Sequence, residues 1–135
     1  MYLVDTNILS ESTKITPNPR VLSWLGAHEP LIRISVVSIG EIHYGIELLA
    51  GGKKQTDLRK WLDVLRRKFA ESILPVDDSV ALRWGSMKAS LDQRGRKLPM
   101  VDSLLAATAL EHRLTLVTAN TRDFLHSGVK LLNPA

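Results

Sequence analysis

The chain contains no cysteine. That removes disulfides, thiolate metal sites and thiol nucleophiles, and permits a reducing cytoplasm as the setting. It also lacks any apolar run near the roughly 18 residues that a membrane span requires. At the amino end Asp5 and Asn7 interrupt the hydrophobic stretch almost at once, so neither a span nor a signal peptide is expected. His28, His43, His112 and His126 show no ligand spacing, which argues against zinc. No repeat, low-complexity segment or linker interrupts the 135 residues, which read as one domain over 1–135.

What is present is ordinary in bulk and uneven in charge. Hydrophobic residues make up 44% and charged residues 24%, as in a soluble globular protein. Lysines and arginines outnumber acids 18 to 14, for a net charge of +4. The cations gather at Lys53-Lys54, Arg59-Lys60, Arg66-Arg67-Lys68 and Arg94 to Lys97. Such clusters suit a polyanion, but they equally describe solvated helix faces. They become informative only beside a gathering of acids.

Hydrophobic periodicity predicts strands alternating with helices. Tyr2-Leu3-Val4 is a buried strand ending in Asp5, and Ile8 to Ser12 a short helix. Asn18 caps a helix whose first residue is Pro19 and whose inner face carries Val21, Leu22, Trp24 and Leu25. Leu31 to Val37 is a β-branched strand. Ser38-Ile39-Gly40-Glu41 matches a capping box, so a helix should start there and run to Gly51-Gly52, with the following Lys53-Lys54 in a loop. Thr56 to Ala70 is an amphipathic helix with a basic outer face, Ile73 to Val76 an edge strand, and Asp77 or Asp78 caps a helix ending near Gly95. A helix opens at Asp102, a strand covers Leu114 to Thr118, and a last strand Val129 to Leu132. The pattern predicts an α/β fold: a three-layer sandwich, mainly parallel sheet with helices on both faces.

In such sheets the binding crevice lies beyond the carboxyl ends of the strands. Asp5 follows the first strand, Glu41 the second, and Asn120 and Asp123 the strand ending at Thr118; Asp102 opens a helix that can reach the same rim. Taken singly, each is a helix cap, a first-turn acid or a turn residue. Taken together, they predict a pocket of side-chain oxygens. Mg²⁺ or Mn²⁺ prefers such ligands, is held by one or two carboxylates plus water and substrate phosphate, and would promote phosphodiester cleavage. Thr6, Asn7, Ser38 and Thr118 are candidates for orienting the ligands or water, or are plain caps and strand ends.

At these residues the chain resembles the PIN-domain ribonucleases, and among them the VapC-type toxins of toxin–antitoxin pairs. The resemblance rests on Leu3-Val4-Asp5-Thr6-Asn7, Ser35 to Ile42 with Gly45, Val101 to Ala109, and Leu116 to Phe124, in the family's order. It implies that Asp5, Glu41 and Asp102 are acidic metal-site and catalytic residues. The fourth family position is often Asp; here it is Asn120, one negative charge fewer, with Asp123 three residues on either to substitute or to hold the loop. The resemblance further implies a homodimer, an RNA substrate and a cognate antitoxin whose tail occludes the site. Trp24, Trp61 and Trp84 are candidate interface anchors, with core packing the competing role.

Other classes predict different outcomes. A PIN-type nuclease of RNA processing would share the chemistry without the antitoxin. A phosphate-handling α/β domain also places an aspartate after strand one, although the Asp-x-Asp of haloacid-dehalogenase-type phosphatases would need Asp where Asn7 stands, and a receiver's Lys-Pro pair is missing. A non-catalytic nucleic-acid-binding module would use the basic helix and be indifferent to Asp5 and to metal.

Overall fold

The computed structural model describes residues 1–135. Five strands, β1 (Tyr2–Val4), β2 (Ile32–Ser35), β3 (Ile73–Leu74), β4 (Thr115–Val117) and β5 (Leu131–Leu132), form one sheet in the order β3-β2-β1-β4-β5. Every pairing is parallel. Six helices connect them: α1 (Thr6–Leu9), α2 (Pro19–His28), α3 (Val36–Glu47), α4 (Lys53–Lys68), α5 (Asp78–Gln93) and α6 (Met100–His112). None is long and apolar enough to cross a membrane.

The period-two alternation of the central strands explains the layers. Leu3 and Leu116 point into one apolar cluster with Val80, Leu91, Leu105 and Phe124. Their neighbours Val4 and Val117 point into the other, with Ile8, Ile34, Ile42 and Leu62. All four of these strand side chains are fully buried, so truncating one, as in Leu116→Ala, should cost about 2–5 kcal/mol. Trp24 and Trp61 pack half-buried against the second cluster and Trp84 against the first. α6 is buried from Leu105 to Ala109, and its small side chains suit close packing against α5 and β4.

Two expected caps are in place. Asn18 accepts from the Arg20 N–H at 2.9 Å, and Asp77 from the Val80 N–H at 3.0 Å. The capping box at Ser38 is not. α3 starts at Val36, with the Ser35 hydroxyl accepting from the Val37 N–H at 3.1 Å. Strand β2 therefore ends at Ser35, where pairing with β3 ends, and the β-branched Val36-Val37 joins the helix. Ser38 becomes the third helical residue, with its hydroxyl buried and without a hydrogen-bond partner.

Lys53-Lys54 is likewise not a loop but the first turn of α4. The cause is Gln55, whose buried amide donates to the carbonyls of Ile46 (2.9 Å) and Leu49 (3.0 Å), closing the end of α3 and fixing where α4 begins. Gly51 and Gly52, both with φ near +96° to +97°, make the turn between the two helices. The short helix after β1 begins earlier than expected, at Thr6, and passes at Ser10 into a 3₁₀ turn that ends at Thr13.

Candidate functional site

The sheet order reverses beside β1, which pairs with β2 on one side and β4 on the other. The crevice rule places the site beyond the ends of β1 and β4. Asp5 leaves β1 there and is 6% exposed. It caps α1: Oδ1 accepts from the Thr6 N–H at 2.7 Å. Its Oδ2 accepts from the Thr118 hydroxyl at 2.9 Å and the Asn7 amide at 3.3 Å. Thr118, just past β4, also accepts from the Asn120 N–H at 3.1 Å, and Asn7 Oδ1 accepts from the Ala119 N–H at 3.2 Å. The ends of β1 and β4 are thus tied together around one carboxylate.

Glu41 lies in the second turn of α3, so it cannot be the return half of a cap. Its Oε1 instead accepts from the Thr6 hydroxyl at 2.6 Å, which links it to the residue beside Asp5. Asp102 sits in the first turn of α6. That helix has Pro99 at its cap position and no side-chain cap. The Ser103 hydroxyl holds the turn, donating to the Met100 carbonyl at 2.6 Å and accepting from the Trp84 indole N–H at 2.8 Å. Sequence reasoning missed Ser103 and this role of Trp84; the residues are 19 apart and no spacing rule joins them.

Three other acids act on Asp102 through their charge. Burial first, and then the charges of Asp5, Glu41 and Asp123, raise the Asp102 carboxyl to about 6. Burial also raises Asp5, with Glu41 adding to the rise, while the donors Thr118, Thr6 N–H and Asn7 oppose it. No lysine or arginine is among the groups acting on either carboxyl. Asp123, in the 3₁₀ turn Thr121–Phe124, is therefore within electrostatic reach, whereas Asn120 is joined to the site through its backbone N–H. Ser38 has no contact with any of these acids by hydrogen bond.

No three His, Cys, Asp or Glu side chains are arranged to hold an ion by themselves. The acids share a field rather than a closed cage, as mutually repelling carboxylates without a counter-charge should. The donors are all oxygens, which fits a hard cation that keeps most of its water and takes one or two direct carboxylates. A tetrahedral nitrogen or sulfur site is not offered by these residues.

A family model described as the PIN domain matches residues 2–128. The chain belongs to the PIN-domain family. Among related PIN proteins, Toxin FitB of Neisseria gonorrhoeae is 34% identical over 139 residues, covering 99% of this chain and 98% of its own. VapC ribonuclease Y4jK of Sinorhizobium fredii is 27% identical over 136 residues, covering 99% and 97%. The crystal structure of FitAcB from Neisseria gonorrhoeae superposes with a TM-score of 0.92 at 34% identity, covering 99% of this chain and 98% of that one. The five-stranded parallel sheet and its helices are thus the PIN fold throughout.

Proposed function

We propose that this PIN-domain protein is an endoribonuclease dependent on Mg²⁺ or Mn²⁺, acting in the cytoplasm as the toxin of a type II toxin–antitoxin pair. The observation that carries the reading is the unpaired carboxylate cluster: on a chain of net charge +4, Asp5, Glu41 and Asp123 all act on Asp102, and none of the four acids forms an ion pair with a lysine or arginine. A protein with cations to spare that leaves four acids unpaired is built to accept a cation from solution. The relatives named Toxin FitB and VapC ribonuclease support the same conclusion.

In this reading Asp5, Glu41 and Asp102 hold the ion directly or through its waters, and Asn120 and Asp123 complete the rim. When bound, the ion supplies a lowered pKa for the attacking water and offsets charge on the phosphoryl oxygens. Thr118 and Asn7 fix the Asp5 carboxylate, and Thr6 fixes Glu41. Ser38, one turn before Glu41, belongs to the same proposal as a positioning residue, its buried hydroxyl being without a hydrogen-bond partner in the chain.

The cognate antitoxin belongs to the same proposal. An apolar groove lined by Leu9, Leu22, Leu25, Trp61, Val64 and Phe69 runs between α2 and α4. It adjoins, at Trp61, a cavity that reaches Thr6 and Glu41. An amphipathic segment in that groove would carry its tail over the acids. A homodimer is part of the proposal and is read out by sedimentation.

The test is cleavage of an RNA pool by the purified protein with Mg²⁺, with chelator, and in the Asp5→Asn and Asp102→Asn variants. Cleavage should stop in all three altered conditions. Cleavage that survives chelation and both substitutions rules the reading out.

A further inference from the structure

A second, larger cleft opens beside the acid rim, between the Ser12 to Thr16 segment and the start of α4. At ≈ 1030 Å³ it reaches the top of the size range of small-molecule pockets, about 300–1,000 Å³. Three lysines, Lys14, Lys53 and Lys54, stand in its lining against one acid, Asp57. Lys53 is paired with Asp57 at 2.8 Å and Lys14 with Glu11 at 2.7 Å, while Lys54 has neither an ion pair nor a hydrogen bond. Both lysines of α4 occupy its first turn, where the helix dipole disfavours positive charge. Half-buried Trp61 lines the cleft, and Ile15 stands fully exposed at its edge.

The cleft adjoins the site. The cavity that contains Thr6 and Glu41 shares Thr13, Leu58 and Trp61 with it. A chain leaving Glu41 through that cavity would therefore pass Trp61 before reaching the lysines. The acidic end fits a metal-bound phosphate, Trp61 in the shared lining is of the type on which a base stacks, and the basic end fits further phosphates. Aromatic platforms joined to cationic grooves are how single-stranded nucleic acids are held without sequence readout.

We propose that this cleft is the path of the single-stranded RNA flanking the scissile phosphate, with backbone phosphates on Lys14, Lys53 and Lys54 and a base against Trp61. The proposal rests on the ribonuclease reading and deepens it by assigning where substrate outside the acid rim lies. Single-stranded rather than duplex RNA is required, because a base can reach an indole beside the groove only when it is unpaired.

The experiment measures binding of labelled oligouridylates of increasing length to the full-length Asp5→Asn protein by fluorescence anisotropy, across a salt series. Lys54→Gln should weaken binding of the longer oligomers about 5-fold at ~0.1 M salt and reduce the logarithmic salt slope by about 0.7, the values for one lost phosphate contact on a single strand. Lys14→Gln should act in the same direction, and Lys130→Gln, beside β5 at the far edge of the sheet, should change neither quantity. Mn²⁺ affinity, measured by calorimetry in the otherwise native chain, should be the same with and without Lys54→Gln, which separates a lost RNA contact from a damaged fold. If Lys54→Gln and Lys14→Gln both leave affinity and salt slope unchanged, the path is overturned. It is equally overturned if they weaken only capture of the antitoxin, because the cleft then serves the protein partner. Failure of the ribonuclease reading looks different: the unaltered protein would cleave no RNA with Mg²⁺ present, whatever the lysines do.

Discussion

Asp5 and Asp102 stand on one rim but are held in opposite ways. Asp5 is buried and takes hydrogen bonds from Thr6, Asn7 and Thr118. Asp102 is half-buried, has no donor, and feels the charge of three other carboxylates. Donors that stabilise the charged form limit the rise at Asp5, and their lack lets Asp102 climb to about 6. One acid is therefore a fixed anchor whose position the protein determines. The other is a charge the protein leaves unsatisfied, and its natural partner is a cation from solution.

The largest break in that contrast should come from removing either charge. Loss of an outer hydrogen-bond partner of a metal ligand costs about 10–100-fold, so Asp5→Asn or Asp102→Asn should lower RNA cleavage by more than about 100-fold. Chelation should do the same to the unaltered protein, and residual turnover near the native rate in either variant would contradict the assignment. Thr118→Val keeps shape but deletes the donor that orients Asp5. It should weaken Mn²⁺ binding about 10–100-fold in calorimetry, with Thr118→Ser restoring it; equal affinity in both variants would show that the anchor needs no such partner.

Smaller effects should come from the scaffold beneath Asp102. Trp84→Phe removes the indole N–H that holds Ser103 and should cost about 1 kcal/mol in denaturant unfolding. Its effect on metal affinity should be weaker than that of Thr118→Val, because Ser103 still donates to the Met100 carbonyl.

The pH dependence sharpens the contrast further. The Asp102 carboxyl is raised from 3.8 to about 6, so without metal the folded chain binds that proton more tightly than the unfolded chain does. This group's stabilising contribution is complete below about pH 3.8 and is lost as pH rises through about 6. An ion that replaces the proton should stabilise most above that value. The gain in melting temperature on adding Mg²⁺ should thus be larger at about pH 7 than at about pH 5; a gain that grows on acidification would contradict the scheme.

Much of this was legible in the sequence because the signals were local. Apolar runs closed by Asp5 and Thr118, the Asn18-Pro19 start and the Asp77 cap each specify their element within a few residues. The Ser38 box failed because two serines competed for one cap, and strand pairing at Ser35, a non-local interaction, decided between them. Lys53-Lys54 failed for the same kind of reason: Gln55 reaches back to α3 across the two glycines. The neighbourhood of Asp5, Glu41 and Asp102 was anticipated from strand ends and family resemblance. The Thr6 bond to Glu41 spans 35 residues, and only folded geometry reveals it.

The most direct test is a carboxyl-carbon NMR titration of Asp102, with Mg²⁺ absent and then saturating. The expected result is a midpoint near 6 without the ion and a midpoint displaced well to the acid side with it. Superimposable curves in the two conditions would mean that Asp102 meets no cation, and the proposed metal centre would be contradicted.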